Sequence, residues 1–307
     1  MKLYPLRPYL THKIWGGKRL QGLKKPDLLG IMSSSDPLGE TWEVSRHRDG
    51  ISETLDGHKL DTLFSAEELP YLVKFIDTSD NLSIQVHPGD EYAKAHEGDS
   101  GKSECWLILD APKGEGIYLG LKDGVNKNKL EEEIRVSGNV NELLNFYPVK
   151  AGDFFFVRSG SIHAIGKDVL MCEIQQSSGV TYRVWDWNRL DNKGNPRELH
   201  IDKALDVINF DKNKNTLSSF DFSEGAFEKK HVTLTEHRDF KVELINSDGG
   251  SENTVQANGK RALSVIVLKG KITTNEVEIN SYESMIVKDC KNLKIKNLEK
   301  TSYLLIS

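Results

Sequence analysis

Two histidines, a glutamine and a glutamate are the residues whose types and spacing could do chemistry in this sequence. Gln85 and His87 stand two apart in LSIQVHP, so on a β-strand both side chains project from one face. Glu104 opens the next apolar run, and His163 follows Gly160 by three residues in a segment typical of a turn. Adjacent strands of a small β-barrel can bring such side chains to one point. The result would be a mixed nitrogen and oxygen set suited to zinc or a similar divalent ion.

The same residues also admit an ordinary structural interpretation. His87 could cap a turn before Pro88, Glu104 could be a solvated acid at a strand end, and His163 could be a hydrogen-bonded loop residue. Widely separated His and Glu residues are a weak motif. Spacing alone therefore leaves both interpretations open.

Short apolar runs, each ended by Gly, Asp, Asn or Pro, must supply the strands that position these residues. They include YLVKFI (71–76), CWLIL (105–109), GIYLGL (116–121), DFFFV (153–157) and VLMCEI (169–174). Their spacing leaves no room for a helix after each strand, which favours an antiparallel sandwich or jelly roll over a doubly wound sheet. Three segments are predicted to be helical and to decorate the sheets: 60–69, 126–147 and 200–210.

The composition changes after Phe210, where the polar stretch DKNKNTLSSFDFSEG is typical of a linker. A second set of strands is predicted to begin near His231, and no histidine follows His237. We therefore expect residues 1–212 to form the catalytic domain, with helical insertions. Residues 213–307 are expected to form a smaller β domain without metal ligands, which packs against the first or forms a lid.

Composition and charge exclude several other classes of protein. The 41 Lys and Arg against 46 Asp and Glu give a formal charge of -5 without a basic stripe, so we expect no nucleic-acid partner. Pro5, Pro8 and several charges interrupt the N-terminal segment, and no later run approaches membrane-spanning length, so we expect a cytoplasmic protein without a membrane partner. Three cysteines without CxxC spacing argue against a disulfide framework and a Cys-based metal site.

Two longer motifs resemble those of cupins. The segment 152–163 resembles the second cupin motif, with Arg158 where proline is usual. Gln85, His87 and the delayed Glu104 resemble the first cupin motif, with glutamine in place of its first histidine and a long insertion before the acid. This resemblance implies a mainly β fold: a cupin, or jelly-roll, β-barrel with a few helices, and a second, smaller C-terminal β domain of jelly-roll type.

This variation resembles the type I mannose-6-phosphate isomerases, particularly their short bacterial form. The similarity runs in order through IWGG (14–17), GETWEVS (39–45), LVKFID (72–77), LSIQVHP (82–88), KSECW (102–106) and TYRVWDWNR (181–189). It is close over the larger part of the chain and only general in the C-terminal β domain. Several motifs in the right order are more specific than any one of them.

The resemblance implies zinc-dependent interconversion of mannose 6-phosphate and fructose 6-phosphate through an enediol, with one zinc ion per subunit. The implied zinc ligands are Gln85, His87, Glu104 and His163. The resemblance also places Ser83, Lys74 and Lys102 along a sugar-phosphate pocket and makes Arg183, Lys102 and Glu173 catalytic residues. A guanidinium suits a developing enediolate, because its planar fork of donors can hold two neighbouring oxygens.

One departure from the family concerns the segment SSGVTYR, which has Gly179 where relatives often carry Asp. If such an Asp transfers protons, this chain must use another group or a water, so the general base stays open. A sugar-phosphate-binding or regulatory cupin without turnover is therefore an alternative function. A cupin oxygenase is disfavoured, because it normally needs more histidines around its iron.

Overall fold

The computed structural model of the chain describes residues 1–29, 37–136, 138–190, 194–257 and 261–307, and these residues form mainly β-structure. In chain order the strands are β1 (Lys2–Arg7), β2 (Tyr9–His12), β3 (Leu38–Val44), β4 (Glu53–Thr54), β5 (Tyr71–Asp77), β6 (Ile84–Val86), β7 (Glu104–Asp110), β8 (Gly116–Leu121), β9 (Leu144–Pro148), β10 (Phe154–Val157), β11 (His163–Ile165), β12 (Leu170–Gln176), β13 (Tyr182–Trp185), β14 (His231–Glu236), β15 (Lys241–Ser247), β16 (Glu252–Gln256), β17 (Leu263–Lys269), β18 (Lys271–Thr274), β19 (Val277–Asn280), β20 (Ser284–Lys288), β21 (Asn292–Asn297) and β22 (Thr301–Ile306).

Short helices connect and cover these strands. The α-helices are α1 (Arg19–Leu23), α2 (Pro26–Leu29), α3 (Leu60–Leu63), α4 (Asp90–Glu97), α5 (Lys127–Arg135) and α6 (Ile201–Val207). Single 3₁₀ turns span Val140–Leu143, Lys212–Lys214, Leu217–Phe220 and Ala226–Glu228. Among the described residues, none of the helices combines the length and the apolar character needed to cross a membrane.

Two facing sheets hold the predicted site residues. One has six strands in the order β10-β7-β12-β5-β3-β2, and the other has five in the order β13-β6-β11-β8-β9. Alternate residues of β7 show how the layers form: Trp106 and Ile108 pack in the core shared with the five-stranded sheet, while Cys105 and Leu107 pack in the core on the other side. Both faces of the six-stranded sheet are therefore buried, which accounts for its nearly continuous apolar sequences.

The outer layers complete the stack. A seven-stranded sheet, β14-β15-β22-β17-β20-β1-β4, packs behind the six-stranded sheet, and a four-stranded sheet, β16-β21-β18-β19, covers its far side. Helices α5 and α6 cover the outer face of the five-stranded sheet. Because β1 pairs with β20, the sheet formed by the C-terminal strands also contains the first strand of the chain. The predicted division of the chain after residue 212 remains a prediction.

All five apolar runs predicted as strands are strands: β5, β7, β8, β10 and β12. The helix predicted over 200–210 is α6, but the helix predicted near residue 60 is only the single turn α3. The helix predicted over 126–147 is wrong in its last part, where Leu144–Pro148 form β9. The reason is tertiary: β9 completes the edge of the five-stranded sheet by pairing with β8, and Gly138 lies before it.

The backbone at Gly160 contacts the residue His87 and has a conformation that favours glycine. Its φ is +84°, its N–H donates to the His87 carbonyl at 2.8 Å, and an added Cβ would lie 2.9 Å from the Val207 carbonyl oxygen. Gly98 has a similar φ of +63° but open space around its Cβ position. Gly98→Ala should cost about 1 to 2 kcal/mol for the left-handed backbone alone.

Gly160→Ala should cost clearly more, because the clash with a backbone oxygen adds to the same conformational penalty. Urea unfolding of both variants measures the difference. Equal losses of unfolding free energy would show that the backbone around Gly160 can move without cost.

Candidate active site

Three predicted site residues lie in one row across the five-stranded sheet. Gln85 on β6 lies directly opposite His163 on β11 and directly opposite Arg183 on β13. Residues that face each other in an antiparallel pair project from the same side of the sheet. The side chains of Gln85, His163 and Arg183 therefore point to one face.

A second row crosses the inner face of the six-stranded sheet. Trp42 lies opposite Lys74, Lys74 opposite Glu173, and Glu173 opposite Trp106. Glu104 stands two residues before Trp106 on β7, so it shares this face. The sheet thus brings the predicted residues Lys74, Glu173 and Glu104 to the same surface.

His87, Glu104 and His163 form a cluster that could hold a metal ion. One ligand atom from each lies within 4.8 Å of the others, and all three residues are buried. The Nε2 of His87 is 3.5 Å from Glu104 Oε2, and the Nε2 of His163 is 3.4 Å from Glu104 Oε1. Oε1 is buried and accepts no hydrogen bond from any described residue, which leaves a carboxylate oxygen available for coordination.

The orientation of both imidazoles also fits a metal site. Nδ1 of His87 donates to the Val180 carbonyl at 2.9 Å, and Nδ1 of His163 donates to the Ser161 carbonyl at 3.0 Å. Because a carbonyl only accepts, each ring carries its proton on Nδ1 and keeps a lone pair on Nε2. Burial lowers the pKa of His87 well below its ordinary value and lowers that of His163 to about 4. Two neutral imidazoles and a carboxylate suit zinc or a similar ion.

Gln85 lies beside this cluster, but its amide is turned away from a ligand role. Its Nε2 is 3.3 Å from the Nε2 of His163, while its Oε1 accepts from Ser83 Oγ at 3.3 Å. Coordination through Oε1 requires the amide to rotate by half a turn, a change that leaves the side-chain shape nearly the same.

Lys102 connects the histidine cluster to the charged row. Its Nζ donates to Glu104 Oε2, lies 3.0 Å from His87 Nε2 and 3.9 Å from Glu173 Oε1. Lys102 is buried, so its positive charge acts in a region of low dielectric.

Lys74 occupies the next position along this row of charges. Its Nζ is 3.3 Å from Glu173 Oε1 and 3.8 Å from Glu40 Oε2, and it lies 4.7 Å from the centre of a ring of Trp42. The row of charges thus alternates in sign from Glu40 through Lys74, Glu173 and Lys102 to Glu104.

Glu40 belongs to this set although the sequence analysis gave it no role. It is buried and accepts from Trp42 Nε1 at 2.7 Å. Burial alone would raise the pKa of Glu40, but Lys74 and Lys13 outweigh it and hold that pKa below its ordinary value. The motif GETWEVS indicates only that Glu40 and Trp42 share a strand face, because they stand two apart; the lysine that compensates Glu40 is distant in sequence.

Glu173 has the opposite electrostatic behaviour. Burial and then the nearby Glu104 raise the pKa of Glu173, although Lys102 and Lys74 act against them. Its Oε2 accepts from Trp106 Nε1 at 3.2 Å, which fixes the carboxyl group on the inner face. A fixed carboxylate with a raised pKa is suited to accept a proton near neutral pH.

Arg183 lies at the edge of the five-stranded sheet and is only partly buried. Its Nη1 donates to the Glu198 carbonyl at 2.7 Å, and its buried Nε donates to none of the described residues. The nearby Asp186 is bound instead by Arg189 at 2.6 Å and by Arg197 at 2.6 Å. Burial and the charge of Arg197 lower the pKa of Arg183, whose guanidinium nevertheless keeps its charge at neutral pH.

The space next to Gly179 is already filled. A Cβ added there would lie 2.3 Å from Asp49 Oδ2 and 2.9 Å from His47 Cε1. His47 is buried, with its Nε2 3.2 Å from Asp99 Oδ2. A carboxylate from another part of the chain therefore stands where a side chain at position 179 would be.

Comparison with known proteins shows the family to which this chain belongs. A family model for the catalytic domain of type I phosphomannose isomerase matches residues 3–105. The mannose-6-phosphate isomerase of Streptococcus mutans is 36% identical over 285 residues, which cover 87% of this chain and 86% of the relative. The mannose-6-phosphate isomerase ManA of Bacillus subtilis is 39% identical over 217 residues, 66% of each chain.

The fold agrees as well. The crystal structure of the mannose 6-phosphate isomerase from Bacillus subtilis superposes with a TM-score of 0.83 at 28% identity, covering 100% of both chains. The stacked sheets are thus the cupin fold that the sequence predicted, and the chain is an enzyme of the cupin class. Within that class it belongs to the type I phosphomannose isomerase family.

The two buried imidazoles should make the metal-free protein sensitive to acid. Unfolded histidine binds a proton below its ordinary pKa of 6.5, whereas folded His163 binds one only near pH 4. The unfolded state therefore binds more protons between these values, so stability falls as pH falls through this window, by on the order of 3 kcal/mol for His163 alone.

Urea unfolding in the presence of a chelator, from pH 7 to pH 4.5, measures this slope. His163→Asn should flatten the slope, whereas His96→Asn, at an exposed position on α4, should leave it as in the parent protein. A slope unchanged by His163→Asn would contradict the assignment.

Proposed function

We propose that this chain is a zinc-dependent isomerase that interconverts mannose 6-phosphate and fructose 6-phosphate through an enediol. Membership of the type I phosphomannose isomerase family supports the substrate. The observation that carries the chemistry is the buried row of alternating charges, from Glu40 to Glu104, that ends at two neutral imidazoles. Such a row would provide an acid, a base and a cation site on one face of the sheet.

Zinc would be held by His87, Glu104 and His163, with Gln85 joining after its amide rotates. The lone pair that each Nε2 carries, and the Glu104 oxygen that accepts no hydrogen bond from a described residue, support this set. When bound, zinc supplies a Lewis acid that polarises sugar oxygens. One ion per subunit satisfies these ligands.

Lys102 would lose its contact with His87 if His87 coordinated a metal ion. A lone pair serves one partner at a time, so Lys102 Nζ cannot keep its 3.0 Å contact with His87 Nε2 while that atom coordinates. The ammonium group would then be free to donate to a sugar oxygen beside Glu173. This makes Lys102 both a substrate contact and a proton donor.

Glu173 is the general base in this proposal. Its carboxylate takes the proton from C2 of the open-chain aldose while Lys102 protonates O1, which yields the enediol. Glu173 then returns its proton to C1 while the neutral Lys102 amine takes the proton from O2, which forms the ketose and restores both side chains. The raised pKa of Glu173, which results from burial and from Glu104, makes it a stronger base than an exposed glutamate.

Arg183 stabilises the enediolate, and the remaining residues hold the substrate. The row of Arg183, Gln85 and His163 puts the guanidinium on the same face as the candidate metal site. Its Nε donates to none of the described residues, which would leave it as a donor for substrate oxygens. Ser83, Lys74 and Lys102 line the sugar-phosphate pocket, where a dianion needs local cations and donors.

An assay of isomerisation and of C2 hydrogen exchange tests the proposed function. The purified, zinc-loaded chain should convert mannose 6-phosphate to fructose 6-phosphate and exchange the C2 hydrogen of the sugar with deuterated solvent. A regulatory or binding cupin would bind the sugar phosphate without exchange. Binding with no exchange would overturn the proposal in favour of that alternative.

Metal content gives a separate prediction. The purified protein should hold about one zinc per chain, since one such ligand set is described, and a strong chelator should abolish activity without unfolding it, because the cores are apolar and separate from the ligands. His163→Ala and Glu104→Ala should lower zinc occupancy, measured by atomic emission, whereas His96→Ala should not. Full activity of the metal-free protein would contradict this assignment.

Arg183 gives a kinetic prediction. Arg183→Ala should stay folded, keep its zinc and bind sugar phosphate, yet lose about a hundredfold to a thousandfold in kcat, because a preorganised donor acts mainly in the transition state. Arg158→Ala, which removes an arginine that binds the exposed Asp221, is the matched control and should turn over normally. Near-normal kcat for zinc-loaded Arg183→Ala would remove the catalytic assignment.

A further inference from the structure

The pairing between β6 and β13 continues beyond the end of its backbone ladder. The last opposed pair is Ile84 with Trp185. Two residues further along the second segment, Trp187 Nε1 donates to the Leu82 carbonyl at 2.6 Å, and two residues beyond that, Arg189 Nη1 donates to the Asp80 carboxylate at 3.1 Å. Side chains thus replace the backbone ladder and hold the segment 80–83 against the segment 185–189.

This arrangement requires an unfavourable backbone. Trp187 has a φ of +57° and Asn188 a φ of +55°, values in the left-handed region where bulky side chains are rare. The surroundings hold Trp187 in place: its ring contacts Trp185 at 4.8 Å and Tyr118 at 5.4 Å between centroids. Strained backbone that persists in this way is found most often at functional sites.

Ser83, the residue after Leu82, connects the Trp187 hydrogen bond to the proposed substrate site. Ser83 is buried, and its hydroxyl donates to Gln85 Oε1 at 3.3 Å. The Leu82 N–H is itself bonded to the Ile165 carbonyl at 2.8 Å, so Trp187 fixes the other polar group of the same residue. With both backbone groups of Leu82 held, the peptide that leads into Ser83 has a defined plane.

We propose that Trp187 is a positioning residue for substrate binding, and that its indole N–H holds the Leu82 carbonyl so that the Ser83 hydroxyl faces the sugar phosphate. This inference rests on the proposed function, which places Ser83 in the substrate pocket. Trp187 does not touch the reacting carbons in this scheme. Its loss should therefore weaken binding of the ground state and the transition state alike.

Trp185 offers a matched control. It is a buried tryptophan two residues away, and its Nε1 has no hydrogen-bond partner among the described residues. Trp187→Phe and Trp185→Phe make the same chemical change, but only the first removes a hydrogen bond to the segment 80–83. A difference in KM between the two variants therefore measures the effect of that hydrogen bond.

In steady-state kinetics with mannose 6-phosphate, Trp187→Phe should raise KM about five- to tenfold, the loss expected for one hydrogen bond, with kcat changed less than twofold. Trp185→Phe should leave both constants within about twofold of the parent values. In a Ser83→Ala background the effect of Trp187→Phe should shrink to within about twofold, because the two residues act on one contact. Zinc content should be the same in all variants.

A merely structural role for Trp187 predicts other results. Equal KM values for Trp187→Phe and Trp185→Phe, an undiminished effect in the Ser83→Ala background, or a loss of kcat at constant KM would each overturn the proposal. If Trp187→Phe fails to fold, the comparison is made in an Asn188→Gly background, where the left-handed backbone is relaxed and the melting temperature should rise.

Failure of the proposed function gives a different signature. If the parent protein binds mannose 6-phosphate in calorimetry but does not isomerise it, the isomerase proposal falls, and the same comparison is made on Kd. A parent protein that neither binds nor isomerises the sugar phosphate overturns both proposals.

Discussion

The site depends on one constraint: its charged side chains are buried away from solvent, so each must be compensated by a neighbouring charge. Removing a charge from water costs several kcal/mol even after relaxation, and breaking one partner of a buried pair costs about 3 to 5 kcal/mol. Each carboxylate of the inner row meets this constraint through a neighbour of opposite sign, at 3.8 Å for Glu40 with Lys74 and 3.3 Å for Glu173 with Lys74. Because the partners come from different strands, the register of the six-stranded sheet is fixed by electrostatics as well as by packing.

The same charges explain why a cation belongs at the end of the row. Glu40 has both Lys74 and Lys13 within 4 Å, whereas Glu104 at the other end of the row has only Lys102 among the described lysines, which also lies 3.9 Å from Glu173. The one oxygen of Glu104 that accepts no hydrogen bond from described residues lies at the end of the row, beside the lone pair of His163. A divalent ion there would add positive charge at this end of the row and thereby favour an anionic substrate.

Strand periodicity was enough to predict much of this site. Gln85 and His87 were placed on one face because they stand two apart, and the structure puts them on β6 and just after it. The opposition of Gln85 with both His163 and Arg183 could not be predicted, because register depends on which strands become neighbours. The backbone carbonyls that orient the imidazoles could not be predicted either, because every residue has a carbonyl group and the sequence does not indicate which one lies near a histidine.

The errors have physical causes of the same kind. The composition of residues 144–148 is compatible with a helix or a strand. They form a strand because they pair with β8 at the edge of the five-stranded sheet. Glu40 was passed over because an acid on a strand usually faces solvent, whereas here a buried lysine compensates its charge. Both outcomes depend on partners far away in sequence, which local pattern does not contain.

The back of β3 shows how C-terminal residues contact the sheet that carries the candidate site. Glu40 and Trp42 lie on the same face as Lys74, so Glu43 faces the opposite core, where it accepts from Lys24 Nζ at 2.5 Å. Lys24 also donates to the Tyr282 carbonyl at 2.6 Å, and Ser284 on β20 lies 3.4 Å from a Glu43 carboxylate oxygen. Burial lowers the pKa of Lys24, and the charge of Glu43 acts against that effect, so Glu43 favours the charged form of the buried lysine. These contacts join β3 to C-terminal residues on one face, while Glu40 on its other face lies 3.8 Å from Lys74 of β5.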